Sequence, residues 1–309
     1  MNTTQTNSPR VILLAVDGSE HSEAAVTLTA GITWPVGTIA HVLAVGPERW
    51  LLSDLSPEAQ SMLVETLEGV RQADRAGTVW LAGHVSDWLQ THGLTVEGEV
   101  REGRPSEVIL DRTAELAAYL LVIGAKGLSA PGEFRLGSTA HKLAHYAECS
   151  VLVARPTERT QPISIILAAD GSFEAQRAAV FLCTLSLPQW AEVTVVSVAE
   201  ARVGLPAGSG LAERRLAAEV PEAVHRALLD AAETHVSELV ECLRGCNAQV
   251  RSAIRFGHPA EEILNAAREH DADLIVIGAR GQTRAEPFRL GGVAQKVVKY
   301  APCSVLVVR

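Results

Sequence analysis

Rings are scarce in this chain. Phe, Trp and Tyr supply 4% of its 309 residues, which excludes a core organised around stacked aromatics and leaves the packing to Val, Leu, Ile and Ala. Long apolar runs are also missing: no stretch approaches the ~18 uninterrupted apolar residues that a membrane-spanning helix requires. Positive charge is not in excess, with 27 Lys and Arg against 36 Asp and Glu and a formal net charge of −9. A general electrostatic pull toward nucleic acid or an anionic membrane surface is thereby excluded, and a polyanion would have to be met by a local patch. The segment Met1–Arg10 is polar and carries no apolar stretch of the kind a secretory leader has, so the expected location is cytoplasmic.

Cysteine is sparse as well. Cys149, Cys183, Cys242, Cys246 and Cys303 are odd in number, which speaks against a disulfide framework and for reduced thiols. Cys242 and Cys246 stand four apart on an expected helix without a second pair, so buried or half-buried thiols are expected there rather than zinc ligands. His141 and His145 have a spacing that can bind metal, but no Glu of a metalloprotease lies between them, and the reading is an ordinary helix face with no metal. No Gly-x-Ser-x-Gly elbow, Walker lysine or Cys-x-x-Cys pair occurs, which removes the signatures of serine hydrolases, P-loop enzymes and thioredoxin-like oxidoreductases.

What the chain does have is itself, twice. Gly103–Arg155 set against Gly257–Arg309 at a constant offset of 154 gives 27 identities in 53 positions without a gap. VILLAVDGS at 11–19 is echoed by SIILAADGS at 164–172. The length suits two domains, expected at 1–156 and 157–309 with the junction in the polar segment Arg155–Pro162. In each copy, apolar runs alternate with stretches of helical spacing: strands at Val11–Val16, Thr38–Val45, Thr95–Arg101, Leu120–Ile123 and Ser150–Ala154, and in the second copy at Ile163–Ala169, Glu192–Val198, Ala248–Arg255, Leu274–Ile277 and Ser304–Val308. Long variable helices are expected at Pro57–His92 and Leu211–Gly245. Uninterrupted apolar runs suit strands buried on both faces, and five alternating strands and helices predict a doubly wound parallel α/β sheet.

The chemistry concentrates after the fourth strand. There the first copy reads Gly124-Ala-Lys126-Gly127, then nine residues, then Gly137-Ser138-Thr139 opening a helix. Glycines after a strand let backbone N–H groups approach a ligand. A helix start adds unpaired donors and a positive dipole end, and the two hydroxyls can donate to phosphate oxygens. Asp17, ending the first strand in Asp-Gly-Ser, can face the same crevice or serve as a turn residue, with Ser19 capping the next helix. Lys126 can pair with a phosphate or lie on the solvated loop.

This pattern, Gly-x2-Gly-x9-Gly-[Ser/Thr] behind an apolar strand and paired with an Asp ending strand one, resembles the ATP-binding universal stress proteins, over nearly the whole chain and twice. The resemblance implies a Rossmann-like strand order 3-2-1-4-5 in each half. It also implies ATP with Mg²⁺, a regulatory stress-response role, and at most slow hydrolysis. By resemblance, Ala15, Val16 and Asp17 line the adenosine side and Val45 offers backbone groups to the adenine. Ile123, Gly124, Lys126 and Gly127 wrap the ribose and phosphates, and Gly137, Ser138 and Thr139 hold the phosphate tail. Because single-domain relatives pair through the last strand, the repeated CSVLVAR and CSVLVVR imply an intramolecular pseudo-dimer, with a further homodimer open.

The second copy departs from the pattern. Gly278-Ala-Arg280-Gly281 leads to Gly291-Gly292-Val293, so both hydroxyl positions are lost. A weaker or empty site is expected there, formed by Asp170, Val198, Gly278, Arg280, Gly281 and Gly291, with Arg284 and Arg289 offering some electrostatic compensation. The alternatives are a structural or protein-interaction module with empty pockets, and a nucleotide-transferring enzyme. The latter is disfavoured because neither a His-x-Gly-His nor a Ser-Gly-Gly-x-Asp-Ser signature occurs.

Overall fold

The computed structural model describes residues 10–46, 57–128, 136–159, 163–200, 222–282 and 290–309, with only the backbone described for 57–71. The chain divides into two compact units, Met1–Pro156 and Thr157–Arg309. The first runs β1 (Val11–Val16), α1 (Glu20–Gly31), β2 (Ile39–Gly46), α2 (Pro57–Thr91), β3 (Thr95–Glu102), α3 (Pro105–Glu115), β4 (Leu120–Gly124), α4 (Ser138–Tyr146) and β5 (Ser150–Ala154). These strands are parallel in the order β3-β2-β1-β4-β5.

The second unit repeats the plan. It comprises β6 (Ser164–Ala169), α5 (Phe173–Thr184), β7 (Glu192–Ala199), α6 (Glu222–Cys242) with a 3-10 turn at Leu243–Gly245, β8 (Gln249–Phe256), α7 (Pro259–Glu269), β9 (Leu274–Gly278), α8 (Gly292–Tyr300) and β10 (Ser304–Val308). Its order is β8-β7-β6-β9-β10, again parallel. Each half is therefore the doubly wound sheet that the sequence predicts. Of the helix expected at Leu211–Gly245, residues 211–221 lie outside the described residues.

Central strands are apolar because helices cover both faces of the sheet. Ile12, Leu13 and Leu14 of β1, Leu121 and Val122 of β4, and Ile166 and Leu167 of β6 have no solvent exposure. At the sheet edge, β3 and β8 mix exposed and half-buried residues and bury none fully. An ionic cluster fastens β3 to α3: Arg101 bonds Glu115 at 2.7 Å, and Arg112 meets Glu99 at 2.7 Å. In the second half Arg255 of β8 bonds Glu269 of α7.

Local signals set the helix starts. Ser19 accepts from the Ser22 N–H and caps α1, Ser172 accepts from the Ala175 N–H and caps α5, and Pro105 and Pro259 open α3 and α7. Gly18 and Gly171 hold φ of 75° and 73°, the left-handed backbone that the Asp-Gly-Ser turn needs.

One expectation fails. Cys183, near the end of α5, is bonded to Cys246, just after the 3-10 turn, so these two thiols are not reduced. Cys242 is exposed rather than buried or half-buried, while Cys149 is half-buried and Cys303 buried. An odd count argues against a framework of bridges but not against a single bridge. Among the described residues, no helix is long and apolar enough to cross a membrane, and no group of three His, Cys, Asp or Glu is placed to hold a metal.

Candidate functional site

The parallel order places the C-terminal ends of β1, β2 and β4 side by side, at the switch point where such sheets open a crevice. The turn after β1 is built on Asp17. Its Oδ1 accepts from the Ser19 N–H at 3.0 Å and from the Ser19 hydroxyl at 2.6 Å. The Ser19 Oγ also lies 3.1 Å from the Lys126 carbonyl oxygen, tying the β1 turn to the loop after β4. The other carboxylate oxygen, Oδ2, faces Gly127, where a Cβ would stand 2.7 Å from it. Asp17 thus serves the turn with one oxygen and faces the loop with the other.

The glycines have a packing reason besides the one the sequence suggests. A Cβ at Gly124 would press to 2.7 Å of the His21 carbonyl carbon and 2.8 Å of the Ser22 nitrogen, so Gly124 lets the first turn of α1 lie against the end of β4. Gly127 admits Asp17. Both glycines are required by the protein's own backbone and side chains, whatever else approaches them.

After the loop, Gly137 returns to Lys126: a Cβ there would be 3.4 Å from the Lys126 Cα and from the Ala125 carbonyl oxygen. Its N–H is used, donating to the Ala125 carbonyl at 2.8 Å. The first helical donor is the His141 N–H, which bonds the Gly137 carbonyl at 2.8 Å. The amides of Ser138, Thr139 and Ala140 therefore precede the first intrahelical bond of α4. No side chain caps this end. Ser138 is exposed and Thr139 half-buried, so donors and hydroxyls are gathered at one uncapped helix start.

Of the other positions singled out in the sequence, Ala15 is half-buried and Val16 buried at the end of β1, opposite Leu43 and Ala44 of β2. Val45 is half-buried at the end of β2, opposite Arg101. Ile123 is buried in β4 beside Val153. The turn touches the post-β4 loop, and that loop touches Gly137 at the start of α4; Val45 shares their end of the sheet. The nine-residue spacer lies in part outside the described residues, as do Arg284 and Arg289.

A model of the universal stress protein family matches residues 9–155 and again 164–309. The chain belongs to the universal stress protein family. It is 29% identical to a universal stress protein of Mycolicibacterium smegmatis over 96% of both chains. One half is 36% identical to a Thermus aquaticus universal stress protein, covering 47% of this chain and 98% of that one. In fold, it is similar to a universal stress protein from Archaeoglobus fulgidus (TM-score 0.58, 19% identity, covering 97% of this chain and 98% of that one). A Pseudomonas aeruginosa protein of the same kind is comparably similar (TM-score 0.60, 18% identity, covering 97% and 93%).

In the second half of this universal stress protein the same backbone is furnished differently. The Asp170 Oδ1 accepts from the Ser172 N–H at 3.0 Å, and Oδ2 faces Gly281 as Asp17 faces Gly127. Gly291 donates to the Ala279 carbonyl at 2.8 Å, and Gly278 admits Glu174 of α5. Arg280, however, is held by Glu174 at 3.1 Å, and the Gln282 side chain donates to the Asp170 carbonyl. The His235 ring of α6 lies directly over Gly171, where the first half has Leu81 over Gly18 at 3.7 Å from a Cβ. Val198 is half-buried at the end of β7, opposite Arg255.

His21 is the residue that sequence reasoning missed. It stands in the first turn of α1 with its backbone on Gly124, and its Nδ1 is buried without a hydrogen-bond partner. Burial first, and then the charges of Lys126 and Arg155, hold its imidazole below the ordinary value, against a hydrogen bond to the Ala154 backbone and the charge of Glu20. Glu174 fills this place in the second half. No periodicity marks either residue, because their roles arise only when strand order sets α1 beside the post-β4 loop.

Proposed function

We propose that this universal stress protein binds ATP, with Mg²⁺, in its N-terminal half, and that the bound state regulates its choice of partner. The observation that carries the reading is the uncapped start of α4, where the amides of Ser138, Thr139 and Ala140 and two hydroxyls meet the loop at Lys126 and Gly127. Such a helix start suits an anion, because its donors are unpaired and its dipole is positive. In this reading Ser138, Thr139 and Gly137 hold the phosphate tail, and Lys126, Gly127, Gly124 and Ile123 follow the phosphates and ribose. Ala15, Val16 and Asp17 border the adenosine, and the backbone of Val45 meets the adenine. The ion would come with the phosphates and keep most of its water, as Mg²⁺ does, with the Asp17 Oδ2 as the carboxylate oxygen suited to it. Hydrolysis would be slow, since among the described residues no group beyond Asp17 is suited to position a water.

For the C-terminal half a second reading is favoured, that of a module without nucleotide. Arg280 is neutralised by Glu174, Gln282 closes on the Asp170 backbone, and the helix start offers Gly292 and Val293 in place of hydroxyls. Asp170, Val198, Gly278, Arg280, Gly281 and Gly291 would then be the remains of a site. Homodimerisation and a cytoplasmic location belong to the same proposal.

Denaturing the purified protein and analysing the supernatant by ion-pair chromatography tests the nucleotide directly. Released adenine nucleotide, or a thermal shift with millimolar MgATP, is expected. Neither appearing would leave the module reading for both halves.

A further inference from the structure

Three of the five cysteines gather at one corner of the C-terminal half. Cys183 lies on the last turn of α5, Cys246 follows the 3-10 turn after α6, and the two are bonded across 63 residues of sequence with their Cα atoms 4.9 Å apart. That spacing lets a dithiol close without backbone movement. Cys242 ends α6 with an exposed thiol, and its carbonyl oxygen is 3.7 Å from the Cys183 sulfur. The residue that carries this exposed thiol therefore adjoins, through its backbone, a bridge whose own cysteines are both half-buried.

The same corner of the first half does without sulfur. Its corresponding positions are Ala30, Trp88 and His92, and there the Trp88 and His92 rings pack with centroids 4.0 Å apart. The fold thus closes this corner without a disulfide between the two helices. In the second half Leu243 is fully buried, and Leu239 and Val236 are 2% and 5% exposed, so α6 has an apolar anchor besides the bridge. A bridge that the fold does not need, in a chain without a framework of others, has the character of a reversible one.

We propose that Cys183, Cys242 and Cys246 form a thiol–disulfide exchange site for low-molecular-weight disulfides, with exposed Cys242 as the thiol that reacts first. The Cys242 thiolate attacks a small disulfide RSSR, forming a mixed disulfide and releasing RS⁻. The Cys183 thiolate attacks the Cys242 sulfur, releasing the second RS⁻ and joining Cys183 to Cys242. The Cys246 thiolate then attacks the Cys183 sulfur and frees Cys242. The sum is one protein dithiol and one RSSR giving the Cys183–Cys246 bridge and two RSH, and excess thiol drives it backward. Closure ties α6 to α5, the helix capped beside Asp170, and so fixes His235 over Gly171.

The test uses the full chain, reduced, freed of reductant, exposed to oxidised glutathione, and quenched with N-ethylmaleimide at intervals for peptide mass mapping. Expected are a transient glutathione adduct on Cys242, accumulation of the Cys183–Cys246 peptide, and its reversal by reduced glutathione with an unchanged far-ultraviolet circular dichroism spectrum. Cys242→Ser, which alters an exposed position, should close the bridge roughly tenfold more slowly or worse, because direct attack then relies on half-buried thiols. Cys149→Ser should close it at the wild-type rate. Closure of Cys242→Ser at the wild-type rate would overturn the role of Cys242. A native bridge that reduced glutathione never opens would overturn the exchange site.

Discussion

Arg280 and Glu174 form an ion pair at 3.1 Å in the C-terminal half, and at the matching places in the N-terminal half stand Lys126 and His21. One half therefore pairs the loop cation with a carboxylate from the first turn of its helix, and the other places an imidazole at that position. If Lys126 serves a phosphate, His21→Glu should compete for it. A charge-assisted hydrogen bond contributes ~1.5–3 kcal/mol, so ATP affinity should fall about tenfold or more. His21→Gln should stay within about twofold. Fluorescence polarisation with a labelled ATP analogue reads both, and equal affinity of His21→Glu and wild type would remove Lys126 from the site.

The depressed pKa of His21 gives a pH dependence of known sign. Its folded value lies below the unfolded one, so the unfolded chain takes up a proton that the folded chain resists. The stability contribution is intact above the ordinary imidazole value of about 6.5 and is lost as pH falls from there toward the folded value. Thermal melts across this window should show a drop in wild type that His21→Gln lacks. Bound polyphosphate would counter the charges of Lys126 and Arg155, so saturating ATP should shrink the drop. A wild-type profile identical to that of His21→Gln would rule out this coupling.

Glycine substitutions should divide by what their Cβ meets. Gly124→Ala drives a methyl into the α1 backbone at 2.7 Å, and Gly278→Ala meets the Glu174 Cβ at 2.8 Å. Each should cost about 1–3 kcal/mol of overpacking. Gly292→Ala meets nothing within 4 Å at the start of α8 and should be neutral or stabilising by up to about 1 kcal/mol. Urea unfolding orders the three, and a Gly124→Ala protein as stable as wild type would contradict the packing described.

Much of the architecture is legible because buried parallel strands announce themselves. The apolar runs of β1 and β4 end in glycine-bearing turns, and the repeat lets each half check the other. Boundaries move where side chains intervene. The apolar pattern starts β2 at Thr38, but the Thr38 N–H and hydroxyl both turn back to the Pro35 carbonyl, so the strand starts at Ile39. The Cys183–Cys246 bridge is illegible in the sequence, since it joins residues 63 apart that only the docking of α6 on α5 brings together. The loop glycines stand out as necessary without their reason, which is the close approach of His21, Ser22 and Asp17. His21 and Glu174 carry no motif, and only strand order gives them a role.

The most direct test is a calorimetric titration of the full chain with MgATP, alongside the double variant Ser138→Ala/Thr139→Val. Those side chains are exposed and half-buried at a helix start, so the fold should tolerate the change. The account predicts about one ATP bound per chain, and affinity at least roughly tenfold weaker in the variant for each hydroxyl that donates to a phosphate oxygen in wild type. Equal affinity of the two proteins, or no binding by wild type, would contradict it.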